Sequence, residues 1–446
     1  MPDLNERLRG VDHAAVPDLW AEAKTRASEA RREETAYRAR LPHELPPRRR
    51  LAIIALAFAV FAAAAVFAWN IWSRTDRRPA VNAPTPTPSV TPDPWSGLSP
   101  GIHRFSAPPS VRTGAALQWM GSTFVVWGGS QKDGATQFAD GFVFDPRTDS
   151  WSPLPPSPLS ARSFSSSVWT GSELLIWGGW DGRNGHFNDG AAYDPVAKTW
   201  RLLAASPLDA RAPRGAIWTG SEMIAWGTLD AGPPSDLRDV TGASYDPATD
   251  TWRAIADAPY PINWGSVVWT GKEMIVLGAS VHAGNRADTA SAVGMAYDPA
   301  SDTWRDLPST DLNTNGTFAT WANDELFAFD YTNQVRAYDP LTNAWRHLPA
   351  PPTASGEAWP EFAAAGHEVF ASTFGGTAVF DLQKETWRTV TLPQKVVGLL
   401  SPVPAGNAVV LWDSGELYSQ PSAGKAPDLM VWVPGQADVS SPASSP

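Results

Sequence analysis

Short runs of alternating apolar and polar positions recur along most of the chain, and they come in pairs. In one pair, residues 215–227, two apolar runs flank a Thr-Gly-Ser-Glu turn. The next pair begins with an apolar run that ends in Tyr245-Asp246, and after a tight turn the alternation resumes at Thr251-Trp252. Runs of period two between turn residues predict β-strands that pair as hairpins. The pattern therefore predicts four consecutive antiparallel strands in each unit.

The second hairpin of the unit recurs six times. Its first strand ends in an aromatic residue followed by Asp, at Phe144-Asp145, Tyr193-Asp194, Tyr245-Asp246, Tyr297-Asp298, Tyr338-Asp339 and Phe380-Asp381. A Trp stands six residues after each Asp, at Trp151, Trp200, Trp252, Trp304, Trp345 and Trp387. The Trp-to-Trp steps are 49, 52, 52, 41 and 42 residues, and periods of this size indicate an array of supersecondary units. Pro follows Asp in five of the six copies, which favours a type I turn in which the Asp side chain bonds to its own backbone.

The first hairpin of the unit is marked by a glycine, or once an asparagine, at its turn. These turn residues are Gly121, Gly171, Gly220, Gly271, Asn323, Gly366 and Gly406. Glycine also stands where the second strand is predicted to end, at Gly128-Gly129, Gly178-Gly179, Gly227 and Gly278. Glycine suits these places because it permits positive φ and close backbone approach. The first hairpins count seven units, one more than the Asp-to-Trp hairpins, so the last outer hairpin is degenerate.

This combination of a Gly-Gly pair, an aromatic residue and a spaced Trp resembles the kelch repeat. The matching residues include Trp177-Gly178-Gly179, Tyr193-Asp194-Pro195 and Trp200, and the resemblance covers about residues 101–434. It implies an all-β fold, a kelch-type β-propeller with one four-stranded blade per repeat around a central channel. Seven blades are predicted, with six or eight as alternatives.

A propeller has to close, because an open last blade leaves an exposed strand edge. Residues 102–105 resemble the outer strand that contains Trp200, so the N-terminal segment could complete the last blade. Residues 429–433 could complete it instead.

Residues 51–72 form an apolar run of 22 residues without a charge. As a helix this run would be ~33 Å long, enough to cross a bilayer core of ~30 Å. More Arg residues precede the run than follow it, so the positive-inside rule predicts a cytoplasmic N-terminus and an extracytoplasmic propeller. We predict a single-pass signal anchor in the lipid bilayer, and a cleaved signal peptide is the alternative.

The remaining segments have distinct compositions. Residues 1–50 are rich in Ala, Glu and Arg, which predicts a partly helical cytoplasmic arm. The arm is either a solvated juxtamembrane helix or a docking segment for a cytoplasmic protein, and it is similar to the short arms of bacterial membrane proteins that regulate sigma factors. Residues 73–100 are a predicted Pro-rich stalk, and residues 435–446 a disordered tail.

The amino-acid composition excludes several kinds of catalytic site, metal site and partner. The chain has no cysteine, which excludes disulfides, zinc-thiolate sites and cysteine nucleophiles. It also excludes the copper site of galactose oxidase, whose central domain kelch propellers resemble, because that site uses a Tyr cross-linked to Cys. No pair among the seven His stands at a metal-ligand spacing, so neither a metal nor a cofactor is expected. Residues 1–78 carry a net charge of +4 and the rest −15, which argues against a nucleic-acid partner.

Candidate binding residues lie in the loops between the second and third strands and between blades, which emerge on the same face. The strand 2–3 loops are long in the first four units, at residues 130–140, 180–189, 228–241 and 279–293. Long loops on a rigid scaffold are where binding usually resides. The ligand candidates are Arg112, Arg162, His186, Arg211, Arg214, Trp264, Asn315 and Trp359.

These candidates are not equivalent. Arg162 and Arg211 recur at one repeat position, so they could instead brace neighbouring blades by bonding to loop carbonyls. Trp264 and Trp359 break the repeat pattern and are the better ligand candidates. The Trp residues at repeated strand positions, such as Trp151 and Trp127, are predicted to fill the space between blades.

Three functions fit this organisation. The first is a membrane-tethered, non-catalytic binding module for an extracellular or envelope protein or glycan. The second is a transmembrane sensor whose residues 1–50 regulate a cytoplasmic partner such as a sigma factor. The third is a carbohydrate-active enzyme or isomerase, since a kelch-like family isomerises sialic acid, although no catalytic residue set can be carried across to this chain.

Overall fold

The computed structural model describes residues 93–131, 134, 136–183, 185–211, 213, 215–227, 241–280, 292–313, 317–330, 332–352, 361–373, 376–393, 400–414 and 426–435. For residues 263, 264 and 280 it describes the backbone alone. The predicted arm, the predicted membrane span and residues 436–446 of the predicted C-terminal tail lie outside these ranges. Within them, no helix has the length and apolar character needed to cross a membrane.

The described residues form four-stranded antiparallel sheets, and each sheet is one blade. The strands of the first four blades are β2 Ala116–Trp119, β3 Phe124–Trp127, β4 Gly141–Asp145 and β5 Ser150–Pro153; β6 Ser166–Trp169, β7 Leu174–Trp177, β8 Gly190–Asp194 and β9 Thr199–Leu202; β10 Gly215–Trp218, β11 Met223–Trp226, β12 Gly242–Asp246 and β13 Thr251–Ala254; and β14 Ile262–Trp269, β15 Met274–Ser280, β16 Val293–Asp298 and β17 Thr303–Asp306. The strands of the last three blades are β18 Phe318–Ala322, β19 Glu325–Phe329, β20 Val335–Asp339 and β21 Ala344–Leu348; β22 Glu361–Ala365, β23 Glu368–Thr373, β24 Gly376–Asp381 and β25 Thr386–Val390; and β26 Leu400–Ala405, β27 Ala408–Asp413 and β28 Leu429–Val433, joined by β1 Gly101–Phe105.

The seven blades form a closed ring. The first strand of every blade contacts the first strands of the two neighbouring blades, and β26 of the last blade contacts β2 of the first. The first strands are therefore innermost and surround the axis, as in a β-propeller. The prediction of an all-β fold with seven four-stranded blades is confirmed.

The last blade closes the ring with strands from both ends of the domain. Its order is β1-β28-β27-β26, with Gly101 opposite Val433 and Phe105 opposite Leu429. Both segments that the sequence offered for closure are thus used, residues 429–433 as the third strand and the N-terminal segment as the outermost. The row of unpaired backbone groups that β28 would otherwise expose is covered.

The segment before β1 is also anchored. Trp95 is buried, its indole donates a hydrogen bond to the Ala405 carbonyl at 2.8 Å, and its ring centroid lies 5.3 Å from that of Trp119 in the first blade. Residues 93–100, the end of the predicted stalk, therefore pack on the propeller.

Turn chemistry follows the sequence prediction closely. All seven predicted turn residues of the first hairpins have positive φ, from 51° at Asn323 to 104° at Gly220. In the outer hairpins each predicted Asp accepts a hydrogen bond from the backbone N–H two residues later, as at Asp194 with Val196 (2.7 Å). Gly278 is different, because β15 continues through it to Ser280 and pairs with an extended β14 across a register break.

The repeated Trp residues lie between blades, as predicted. In six blades the Trp indole after the outer turn donates a hydrogen bond to a backbone carbonyl of the preceding blade or its exit loop, such as Trp252 to Ala204 (3.0 Å). In the third blade Asp250 also accepts from the N–H of Ala204 at 2.9 Å. One hairpin thus holds both backbone groups of one residue in the neighbouring blade, and the same pair of contacts recurs at Ser106 and Ala256.

Candidate functional site

The propeller has two different faces. We call the face with the tight turns after the first and third strands the turn face, and the face with the strand 2–3 loops and blade-to-blade loops the loop face. The loops of the fifth and sixth blades are short, with β20 and β24 starting soon after β19 and β23 end, as expected from the sequence.

On the turn face, ionic side chains bond from blade to blade. Arg201 of the second blade forms an ion pair with Glu173 (2.7 Å) and donates a hydrogen bond to the Tyr245 hydroxyl of the third blade (2.9 Å). Tyr245 in turn donates to Asp250 (2.6 Å). Burial, followed by the hydrogen bond to Asp250, raises the pKa of Tyr245 to about 12. These polar groups therefore bond to one another within the protein.

The same ion pair recurs in four more blades. The pairs are Arg253–Glu222, Arg305–Glu273, Arg346–Glu325 and Arg388–Glu368. The charged side chains of the turn face are thus engaged in repeated contacts between neighbouring strands and blades. This indicates a structural role for these charges.

A His-acid cluster on the turn face has the spacing of a metal site. Ligand atoms of His367, Glu368 and Asp381 lie within 4.8 Å of one another. Glu368 already pairs with Arg388 and accepts the Gly435 N–H at 3.2 Å, and Asp381 lies 3.2 Å from the Lys384 ammonium. Because both carboxylates already interact with a cationic side chain, the cluster favours a structural role.

On the loop face, Arg162 is fully buried and its guanidinium is used within the protein. It donates to the carbonyls of Ser160 (2.9 Å) and Gly178 (3.1 Å), pairs with Asp189 (2.6 Å) and lies 3.8 Å from the centroid of the Phe187 ring. The Arg162 carbonyl accepts the N–H of Gly129 from the first blade at 2.8 Å. The guanidinium thus bonds within the second blade and its entry loop, while the main chain of Arg162 links that blade to the first.

Arg112 and Arg211 have similar surroundings. Arg112 is buried, pairs with Asp140 (2.9 Å) and donates to the Gly128 carbonyl (3.1 Å). Burial lowers its pKa, which the Asp140 carboxylate opposes. Arg211 is buried and donates to the Asp209 carbonyl (3.1 Å) and the Thr241 hydroxyl (3.2 Å). The bracing interpretation fits all three arginines better than ligand binding does.

His186 is partly buried in the strand 2–3 loop of the second blade. It pairs with Trp180 in an isolated β-bridge, and the preceding turn is held by Asp181, which accepts the N–H groups of Arg183 (2.8 Å) and Gly185 (2.9 Å). These two bonds lower the pKa of Asp181, while burial lowers that of His186. A neutral imidazole at the rim of the loop face can accept or donate a hydrogen bond.

The other candidates are placed only in part. Arg214, Asn315 and Trp359 lie outside the described residues, and for Trp264 the backbone alone is described, inside β14 at the register break between Asn263 and Ser266. Their role in binding stays a prediction.

An exposed aromatic ring at the loop face was not anticipated from the sequence. Phe164 is 40% exposed, has a φ of 55° and lies with its ring centroid 6.4 Å from that of Trp180. Its N–H donates to the Gly114 carbonyl of the first blade at 2.7 Å. Positive φ is rare for a bulky residue and is found where the surrounding structure enforces it, often at functional sites.

Strand register explains why this position matters. Phe164 lies two residues before Ser166, the first residue of an inner strand, which pairs with Trp177. Trp264 and Trp359 lie two residues before Ser266 and Glu361, which pair with the corresponding residues of their own blades. Three of the seven blades therefore carry an aromatic residue at the same repeat position. Counting back from each inner strand would have revealed this in the sequence.

The described residues thus define a seven-bladed β-propeller that has one tightly bonded face and one loop-rich face. Residues 114–329, from the entry of the first blade to the second strand of the fifth, match the family model of the KLHDC2/KLHL20/DRC7 Kelch-repeats domain. This part of the chain is a kelch-repeat domain, as the sequence motifs implied. No curated protein matches the chain.

Proposed function

We propose that this protein is a membrane-tethered, extracytoplasmic and non-catalytic binding module that holds a protein partner on its loop face. Kelch propellers are typically protein-interaction modules, which supports a binding function in general. The tether is the predicted span at residues 51–72, and the extracytoplasmic side follows from the Arg distribution around it.

The contrast between the two faces carries the proposal. The turn face uses its charged groups in repeated contacts within and between blades. The loop face instead exposes Phe164 beside Trp180, at a repeat position where two further blades carry Trp. Exposed aromatic residues are typical anchors of protein interfaces, since they bury a large area at a small cost in side-chain entropy.

The point where the chain enters the propeller supports the choice of face. Trp95 bonds to Ala405 and Asp93 accepts from Asn407 (3.0 Å), and both partners lie at the turn between β26 and β27. The chain therefore reaches the propeller at the turn face. Attachment at that face leaves the loop face free for a partner.

Site-specific photo-crosslinking tests the proposal. A photoreactive phenylalanine analogue at position 164 of the full chain is expected to crosslink to a protein partner in cells. The matched control is the same analogue at Val196, which is exposed on the turn face. Crosslinks at 196 but not at 164 would show that the turn face is the binding surface and would overturn the proposal.

The other hypotheses rest on the sequence alone. The sensor hypothesis concerns residues 1–50, which lie outside the described residues. A glycan ligand and a carbohydrate-active enzyme stay sequence-based alternatives.

A further inference from the structure

One carboxylate stands out at the loop-face end of the inner strands. In each blade, one residue of the innermost strand pairs with an equivalent residue near the loop-face end of the second strand. These seven innermost-strand residues share one repeat position, and we call them the mouth ring. The mouth ring consists of Ala116, Ser166, Gly215, Ser266, Phe318, Glu361 and Ser401. Glu361 is its one ionisable member.

Side chains of the mouth ring reach from blade to blade. The Ser266 hydroxyl accepts the N–H of Ala319 in the next blade at 2.9 Å. In the same way the Ser401 hydroxyl of the last blade bonds to the Glu361 carboxyl of the sixth. Glu361 thus lies at a blade seam beside the axis of the ring, where six small or uncharged ring members leave it without a charged neighbour at its own level.

The surroundings of Glu361 disfavour its charged form. Burial raises the pKa of this carboxyl to about 7, and the hydrogen bond from Ser401 opposes the rise only in part. Among the described residues, no Lys or Arg forms an ion pair with it. Buried carboxylates in proteins are normally paired with a cation, so a partly buried one without a described cation is a candidate for pairing with a ligand.

The strands packed against β22 supply no counter-ion. The inner strands on either side, β18 and β26, carry no titratable group. Strand β23 carries Glu368 at the turn-face end, paired with Arg388, and β27 carries Asp413, which has an interaction of its own. The arginines of the loop face are equally unavailable, because Arg112 and Arg162 are buried against Asp140 and Asp189.

We propose that the mouth ring binds a cationic side chain of a protein partner, a guanidinium or ammonium group, with the Glu361 carboxylate as its counter-ion. This rests on the proposed function and names the chemistry of the contact. The net charge of −15 on residues 79–446 attracts a basic partner over a longer range. The exposed Phe164 ring on the same face offers a second surface that attracts cations.

The test measures binding of N-acetylarginine amide to the full chain by isothermal titration calorimetry, with the neutral isostere N-acetylcitrulline amide as the comparison. We expect binding of the arginine compound alone. In Glu361→Gln, which keeps the shape and the hydrogen bond to Ser401, affinity is expected to fall about tenfold or more, the usual scale for a hydrogen bond to a charged group. Binding is also expected to be about tenfold weaker at pH 6 than at pH 8, because Glu361 loses its charge as pH falls through about 7.

Two further variants keep the test decisive. Asp257→Asn removes one negative charge from an exposed residue between β13 and β14 and should bind like the wild type. Ser401→Ala keeps the carboxylate and should retain binding. Equal affinity of Glu361→Gln and wild type, or equal binding of the citrulline compound, overturns the inference. Crosslinking at position 164 is measured separately, so the cation site can fail while the binding module stands, and the reverse.

Discussion

At the scale of single residues, three arginines of the loop face are buried at blade-to-blade connections, and each bonds to several groups of the protein. Arg162 bonds to two carbonyls and to Asp189, and its guanidinium lies against the Phe187 ring. Arginine suits this position because its planar group has five donors in a fixed geometry and keeps its charge when buried. Without the guanidinium, Asp189 loses its cationic partner and the Ser160 carbonyl loses this donor, while the Gly178 carbonyl keeps the Ser165 hydroxyl.

We therefore predict that Arg162→Met destabilises the protein by about 1–3 kcal/mol, measured as the free energy of unfolding in denaturant, because it removes the hydrogen bonds that a buried guanidinium makes to Gly178, Ser160 and Asp189. The control Arg147→Met changes the same residue type in an exposed outer turn and should stay within about 0.5 kcal/mol of wild type. Unchanged stability of Arg162→Met together with lost partner binding would assign this arginine to the ligand.

The recurrence of Arg at one repeat position suggested a bracing role as one of two interpretations, and the contacts of these arginines within the protein favour that one. The exposure of Phe164 could not be read in the same way, because a positive φ at a phenylalanine has no local sequence signal. Glu361 was missed because its character comes from its neighbours. Its hydrogen bond with Ser401 joins two blades. Such a contact can be recognised only once the blades are arranged in the ring.

At the scale of elements, the outer hairpin both forms a blade edge and attaches it to the next blade. Its turn is determined locally, by an Asp that caps the turn and a residue of positive φ two positions before the Trp. Local turn chemistry of this kind is readable in a sequence, which is why six hairpins could be predicted. Closure could not be predicted uniquely, because β1 pairs with β28 from the opposite end of the domain.

The closing strand yields a prediction about where the domain starts. Removing residues 1–92 leaves Trp95 and β1 in place and should leave the melting temperature of the propeller unchanged. Removing residues 1–105 deletes both, exposes the edge of β28 and uncovers the apolar side chains around Trp119. We expect this second fragment to melt at a markedly lower temperature in calorimetry and to aggregate. If both fragments melt alike, β1 does not close the ring.

At the scale of the whole propeller, the described residues form a ring whose two faces differ in what their polar groups do. The charged side chains of the turn face form repeated pairs that stabilise the fold. Two aspartates of this face illustrate the effect. Asp250 and Asp302 accept hydrogen bonds from Tyr245 and Tyr297, which lower their pKa values. On the loop face, Glu361 has a raised pKa and only a serine hydroxyl as its described partner.

These opposite shifts predict how stability depends on pH. A carboxyl whose folded pKa is lowered stabilises the fold above its unfolded value of about 4, so the contribution of Asp250 and Asp302 is lost as pH falls below that. A raised pKa acts in the other direction. Glu361 favours the folded state at low pH, and this advantage is lost as pH rises from about 4 to about 7.

The comparison of wild type with Glu361→Gln isolates the pH dependence of stability that Glu361 causes, because the aspartates and His186 are common to both proteins. The variant should gain about 2.5 kcal/mol of stability relative to wild type between pH 5 and pH 8, the part of the effect of a pKa of about 7 that falls within this pH range. Both proteins should lose stability together below about pH 4, through the aspartates. Parallel curves from pH 5 to pH 8 in urea titrations would mean that Glu361 is solvated and charged like a surface carboxylate. The cation-binding role of the mouth ring would then lose its physical basis, since a carboxylate already stabilised by water gains little from a partner's cation.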